Sequence, residues 1–416
     1  MQLTLKNICK YGFYPLWIFE YFIMMWGINL NKFIGLPLMV LLVLFTIPTI
    51  LKSSREGTID GIVRLFLFYN VFTLVFFMFS GVPFVAYINK IKYFVFPIFF
   101  YWIGSNDEND KDLFFKTFFW SMAFVYIVGL FWYITLPSYY LNYVIQEKQN
   151  TSYLVGAEAL DENTISSYLS LSSFISIYGT SLLSAPTMAC SYGFIFRKNQ
   201  YYPKYILNVI GIIVLICGIL TYQRIAIFCC IATFIFFAIW GAKNKNKSLI
   251  IGGVLVLFLL VTYALYNFSD RLDTLSVLFD DLLDSFSFSK AMEGGRTSQY
   301  LSVFAEWNNP IFGSGLGSAS VEARVMGKAG VTDGEYIRIL AETGVIGFLL
   351  FCGILFNSII RIKNNFREYL IEAVIIASFM FACVGANALS NSGFIPPIFW
   401  YCVGRLNNKR IPNRYI

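Results

Sequence analysis

The chain alternates between long apolar runs and shorter polar stretches. The runs are about 20 residues long, enough to cross a bilayer as α-helices. Twelve are read, at 12–29, 33–51, 60–80, 85–104, 113–136, 175–196, 205–221, 223–241, 249–268, 336–360, 369–389 and 393–406. Two are irregular. The stretch 164–196 is rich in Ser and Thr and leaves room for a surface helix before its span. Pro396-Pro397 makes the last span short or broken, because proline lacks the N–H that a helix interior needs. The first run follows Lys6 and Lys10 without a small-residue cleavage site, so it reads as an uncleaved span. The pattern predicts an all-α polytopic membrane protein, one integral domain over 1–416, with no internal repeat.

Charge placement orients the spans. With the N-terminus inside, most of the 31 lysines and arginines fall in the inside loops and tails, as the positive-inside rule requires. Both termini are then cytoplasmic, and the net charge of +7 is a topology signal rather than a nucleic-acid footprint. The two long polar segments, 137–174 and 269–335, lie outside, between spans 5 and 6 and spans 9 and 10. A protein with its polar mass on that side works on something at the outer face. Composition agrees: 57% of residues are apolar and 13% charged, about half the charge of an ordinary soluble domain. There is no histidine, which removes the commonest general base and metal ligand. The eight cysteines lie in or beside apolar runs and read as small buried hydrophobes.

Within the large outer loop, 270–286 has helical spacing with one apolar face, an amphipathic helix lying on the membrane or on the bundle. Gly294-Gly295-Arg296 then opens a second helical stretch, stopped by Asn308-Asn309-Pro310. Gly313-Ser314-Gly315-Leu316-Gly317 follows; its spacing excludes a dinucleotide fingerprint and favours tight turns over a ligand cradle. Thr332-Asp333-Gly334-Glu335 has the form of a capping box before span 10, with Thr332 as the cap and Glu335 reaching back. Glu335, Arg338 and Glu342 share one face of that span, and Arg338 and Glu342 are spaced to pair.

Charges at bilayer depth are expensive and mark functional candidates. Arg64, Lys116 and Glu372 lie near inside ends, within reach of the interface by snorkelling. For Glu20 the sequence offers no partner. Lys90 and Lys92 sit toward the outer end of span 4, against the positive-inside trend, as candidate anion contacts. Arg224, in the tight outer hairpin Thr221-Tyr222-Gln223-Arg224, is the strongest candidate. Its guanidinium suits bidentate phosphate binding, with capping of hairpin carbonyls as the alternative.

These motifs, in this order, resemble the O-antigen polymerase and ligase superfamily of bacterial membrane glycosyltransferases. The Thr-x-x-Arg224 tip is similar to that family's Ser-Arg element. Gly295-Arg296, Trp307-Asn-Asn-Pro310-Ile-Phe-Gly313-Ser-Gly315-Leu-Gly317 and Asp333-Gly-Glu-Tyr336-Ile-x-Ile-Leu-x-Glu342-x-Gly344-Val-Ile-Gly347 carry the rest, over roughly 220–350. The family pattern at the last motif resembles His-Asn-x-Tyr-Leu, then Glu, Gly and Gly at the same spacing. Ligases of the superfamily carry a histidine where this chain has Asp333, whereas Wzy-type polymerases vary there, so the resemblance points to the polymerase.

The resemblance implies a GT-C-like fold in the bacterial inner membrane and a periplasmic active site. It also implies undecaprenyl pyrophosphate-linked glycans as donor and acceptor, catalysis without a metal or other cofactor, and work alongside a chain-length regulator. Site roles follow from the chemistry it implies. A leaving pyrophosphate needs fixed cations, for which Arg224, Arg296 and Arg338 are the candidates. An attacking hydroxyl is served by a base, with Asp333 first and Glu335 second; both alternatively cap the helix or bind the acceptor. Tyr336, Trp307, Lys90 and Lys92 are candidate substrate contacts. The rivals are an O-antigen ligase acting on lipid A-core, a flippase for lipid-linked sugars, and a non-enzymatic assembly scaffold.

Overall fold

The structure is a computed structural model. It describes residues 5–24, 35–52, 58–107, 112–135, 180–196, 202–221, 223–241, 295–305, 309–320, 323–324, 327–331, 334–390 and 393–408. The predicted ninth span 249–268, the amphipathic stretch 270–286 and the segment 137–174 lie outside the described residues.

The helices follow the apolar runs: α1 (Leu5–Met24), α2 (Gly35–Lys52), α3 (Thr58–Phe72) and its short continuation α4 (Leu74–Phe77). Next come α5 (Phe84–Lys90), α6 (Phe96–Ile98), α7 (Phe100–Ser105) and α8 (Leu113–Thr135). After these lie α9 (Ser184–Ile195), α10 (Lys204–Leu220), α11 (Arg224–Gly241) and α12 (Gly295–Ala305). The chain closes with α13 (Glu335–Asn364), α14 (Leu370–Gly385) and α15 (Pro396–Leu406). Among the described residues there is no strand. Ile59–Phe77, Leu113–Trp132 and Glu335–Asn364 are long and apolar enough to cross a membrane, and four shorter apolar helices join them. Among the described residues the fold is all-α, consistent with a membrane protein.

Three departures from regular helix have identifiable causes. The run predicted as one span at 85–104 is interrupted by a π-helical turn, Ile91–Val95, just before Pro97. Pro97 has no N–H to continue the ladder, so the register shifts. The last helix is only 11 residues long and opens on Pro396 and Pro397 at its first positions. There their missing donors cost nothing. The third departure lies inside α13, where Gly344 has φ 66° and ψ −173° and separates two helical halves. The apolar pattern 336–360 runs through that break as one span.

Close approach of backbones builds the centre. A methyl group on Gly104 of α7 would overlap the Tyr401 carbonyl of α15, and one on Gly404 would overlap the Tyr101 carbonyl. Small residues at such crossings let membrane helices dock directly. Rings fill the space beside this seam: Phe13 stands edge-on to Tyr14, Trp17 and Phe100, and the rings of Phe114 and Tyr401 lie 4.0 Å apart. All eight cysteines are free thiols, seven of them buried.

One end of the bundle is closed by a buried ionic knot. Arg405 donates to Glu372 (2.8 Å) and Asp112 (3.0 Å), and Lys10 pairs with Asp107 at 2.8 Å. Tyr401 donates its hydroxyl to Asp107. Glu372 therefore does not snorkel as its position suggests; it is buried against Arg405. Arg64 pairs within its own helix with Asp60, at 2.9 Å.

Candidate functional site

The site is built at the opposite end of α14 and α15, around the break in α13. Breaking a helix inside a bundle orphans carbonyls and amides on both sides of the break, and they must find partners. The glycine motif supplies them. Ser314 N donates to the Ala341 carbonyl (3.1 Å) and Gly315 N to the Glu342 carbonyl (2.8 Å). In return Val345 N and Ile346 N donate to the carbonyls of Pro310 and Ile311, at 2.9 and 3.2 Å. Tyr69 of α3 closes the joint, its hydroxyl lying 2.9 Å from the Thr343 carbonyl and 3.1 Å from that of Phe312.

The alternating glycines make this fit possible. Gly313, Gly315 and Gly317 have φ of 80°, 93° and 89°. A side chain on each would strike a different neighbour: the Glu342 carbonyl of α13, the Phe77 backbone of α4, or the Ala86 carbonyl of α5. The motif is thus a backbone clip that seats the loop on three helices, in line with the turn reading.

Below the clip lies a buried triad. Arg338 donates one terminal nitrogen to Glu342 and the other to Glu335, and all three side chains are fully buried. The guanidinium lies 4.9 Å from the Phe94 ring centroid. Glu335 Oε2 accepts from Leu389 N (3.2 Å) and the Ser390 hydroxyl (3.1 Å), tying the 386–390 turn to the start of α13. Lys90 is buried beside the same turn, with Nζ 3.4 Å from the Ser390 carbonyl. The predicted Arg338–Glu342 pair is present, and Glu335 completes it.

The capping box is not formed. The N-cap of α13 is Gly334, left-handed at φ 104° and without a side-chain cap, and Glu335 turns toward Arg338 rather than back. The left-handed residue moves the helix start two positions past Thr332, and the buried guanidinium outcompetes the N-terminal amide for the carboxylate.

The remaining candidates are placed as follows. Tyr336 is half-buried and donates to the Met380 carbonyl of α14, at 2.9 Å. Lys92 is half-buried, with Nζ 4.7 Å from the Tyr93 ring centroid. Arg224 opens α11 and Arg296 lies in the first turn of α12; for both, the backbone is what the structure describes. Asp333, Thr332 and Trp307 lie outside the described residues.

Even so, the backbone gathers the candidates at one end of the bundle. One turn after Arg224, Phe228 stacks on Phe381 of α14, at 4.3 Å. One turn after Arg296, the Tyr300 hydroxyl lies 2.7 Å from where a Cβ on Gly334 would stand, and the Val384 carbonyl of α14 lies 3.6 Å from the same point. Val303 of α12 packs with Val331 and Ala341. The starts of α11, α12 and α13 therefore converge on the far end of α14. Two features were not legible in the sequence: Tyr69, a lone tyrosine on an apolar span, and Ser390, an ordinary loop serine. The signal that was available is Thr343-Gly344, a β-branched residue and a glycine in mid-span.

No curated protein matches the chain. Residues 208–352, which hold α11, α12, the clip and the triad, match the family model described as O-antigen ligase. That segment, about a third of the chain, is similar to the O-antigen ligase family.

Proposed function

We propose that this protein is the polymerase of that family. In this reading it joins undecaprenyl pyrophosphate-linked repeat units into O-antigen polysaccharide at the periplasmic face of the bacterial inner membrane. Both termini are cytoplasmic, and a chain-length regulator is the expected partner. The observation that carries the reading is the combination of the family match over 208–352 with a sequence that contains no histidine. A ligase-type site would need histidine at the position of Asp333.

The reaction is a displacement. A hydroxyl oxygen of the acceptor sugar bonds to the anomeric carbon of the donor glycan, the bond from that carbon to phosphate breaks, and undecaprenyl pyrophosphate leaves with the bonding electrons. Arg224 and Arg296, at the converging starts of α11 and α12, stabilise the charge gathering on the leaving group. Asp333 accepts the hydroxyl proton. Arg338 and Glu335 hold a different role in this reading: both terminal nitrogens of Arg338 are already taken by carboxylates. The triad fixes the start of α13, the helix that follows Asp333 in the chain, against the turn at 386–390. Tyr336, Trp307, Lys90 and Lys92 are the proposed contacts for the sugars. The protein's own groups supply the chemistry without a metal.

Deleting the gene tests the assignment on a gel of surface lipopolysaccharide. The expected result is a core carrying a single repeat unit, with the ladder lost. A second reading, the ligase, is favoured by the matched family itself, the O-antigen ligases. It predicts a bare core with long lipid-linked glycan accumulating. A flippase predicts a bare core with short intermediates held inside. An unchanged ladder rejects all three and leaves the scaffold.

A further inference from the structure

The Ser- and Thr-rich stretch 164–196 has no part in the chemistry above, yet its described part carries a row of buried hydroxyls. Ser181, in the 3₁₀ turn Thr180–Leu183, and Ser184, Thr187 and Ser191 of α9 are all fully buried. Spacings of three and four residues put them on one helical face. At the far end of the row, Ser191 donates to the Leu207 carbonyl of α10, at 2.6 Å. Ser184 accepts from the Cys230 thiol of α11, at 2.8 Å, and donates to the Ser181 carbonyl, at 2.6 Å. The row thus runs along the hairpin of α10 and α11, and Ser181 reaches its tip.

That tip is Thr221-Tyr222-Gln223-Arg224. Inside it, Thr221 donates to the Gly218 carbonyl, at 2.7 Å, and its hydroxyl oxygen accepts from Gln223 N, at 3.4 Å. The Gln223 carbonyl accepts from Ile227 N, at 2.9 Å, and so opens α11. From outside the hairpin, Ser181 donates its hydroxyl to Gln223 Oε1, at 2.5 Å. Stability gains little from this contact. Gln223 is exposed, so an alanine at position 181 would leave its amide to bond water instead. What the bond fixes is the position of the tip, and the residue after Gln223 is Arg224.

We infer that Ser181 is a positioning residue for the proposed transfer: it holds the hairpin tip so that Arg224 meets the leaving pyrophosphate. The inference rests on the role given to Arg224 above. It carries the working site outside the family-matched segment 208–352, to the entry of α9. A cation stabilises developing charge best when it is already in place and need not be reorganised as the charge appears. Ser184 serves the same end. Its contact with Cys230, nearly two turns past Arg224, ties the Ser181 turn to α11 at a second point. The tip is thereby held from α9 rather than left to the two apolar helices that it joins.

The test is a double-mutant cycle of Ser181→Ala and Arg224→Ala in purified, bilayer-reconstituted protein. It reads kcat with a repeat unit on undecaprenyl pyrophosphate as donor. It also reads the Kd of undecaprenyl pyrophosphate, the product, which carries the charge that the leaving group gains. Ser181→Ala is expected to lower kcat by about 10- to 100-fold, the cost of a misplaced catalytic group. It raises the product Kd, changes the donor KM less than kcat, and leaves the unfolding midpoint in place. In the Arg224→Ala background the same change moves kcat and Kd by less than about twofold, because the residue it acts through is gone. Gln223→Met, which removes the acceptor from the exposed side, reproduces the loss. A wild-type kcat in Ser181→Ala overturns the proposal. So does a loss as large without Arg224 as with it, or one that Gln223→Met does not share. Product binding separates this claim from the transfer reading. A wild type that transfers nothing, yet binds undecaprenyl pyrophosphate with Ser181 and Arg224 coupled, keeps the tie and rejects the transfer. A wild type that polymerises without that coupling keeps the transfer and rejects the tie.

Discussion

Arg338→Met is the most informative single perturbation of the triad. Glu335 and Glu342 are fully buried, and Arg338 is the residue that donates to both. Removing one partner of a buried pair leaves uncompensated charge and costs about 3–5 kcal/mol. That lowers the folding constant by a factor of about a hundred to several thousand. The neutral triple variant Glu335→Gln, Arg338→Met, Glu342→Gln removes the charges of the triad together, with Lys90 keeping its contact with the Ser390 carbonyl, and the amide oxygen introduced at position 335 still accepts from Leu389 N and the Ser390 hydroxyl. Replacing a whole buried ionic group is often neutral or stabilising, so the triple variant is expected within about 1 kcal/mol of wild type or above it. Reversible unfolding in bicelles, followed by tryptophan fluorescence, reads all three proteins. A single variant as stable as wild type, or a triple variant no more stable than the single one, would refute the argument. Turnover adds a second answer. A triple variant that folds and still transfers glycan keeps Arg338 as a positioning residue, whereas one that folds with kcat lowered about 10²-fold or more returns it to the pyrophosphate.

Other outcomes follow from the same structure. Arg224→Ala is expected to lower kcat about 10²–10³-fold with unfolding unchanged, and Arg224→Lys to recover only part of it. Asp333→Asn lowers kcat about 10²–10⁴-fold if the carboxylate is the base, but costs only about 0.5–2 kcal/mol of stability, with kcat intact, if it serves the helix start; steady-state kinetics beside unfolding decides. Gly344→Ala, in a backbone conformation closed to other residues, destabilises by about 1–3 kcal/mol in the same unfolding assay. At the other end of the bundle, burial pushes the Asp107 carboxyl up, but Lys10 and Arg405 outweigh it and hold the group below the ordinary carboxylate range. Its contribution is therefore present above about pH 4 and lost as pH falls through its lowered pKa. Asp107→Asn should be less stable than wild type at pH 7, with the gap closing in acid; a gap that widens in acid would contradict that sign.

The elements legible in the sequence are those set by local composition. Apolar run length found α8 and α10 nearly to the residue, because nothing but lipid and other apolar helices acts on them. Pro396-Pro397 announced a short last helix for the same local reason. Helical spacing found Arg338 with Glu342. What the sequence did not show depends on distant chain. Gly344 breaks α13 only because the loop at 310–315 arrives to take over its hydrogen bonds. The Thr332 box fails because Glu335 has a better partner in a buried guanidinium and in Ser390, 55 residues away. Glu372 looked like a snorkelling carboxylate until Arg405, from another helix, was placed against it. For the site, the sequence named Arg224, Arg296 and Arg338 as one group, whereas the fold gives Arg338 to the interior.

The central claim is polymerisation, and it is tested most directly by giving the purified protein one substrate, a single repeat unit on undecaprenyl pyrophosphate, and separating the products by length. The account predicts a ladder of longer lipid-linked glycans, with undecaprenyl pyrophosphate released at each step. A repeat unit that stays unextended alone, yet is transferred once lipid A-core is supplied, would contradict it and make the protein a ligase.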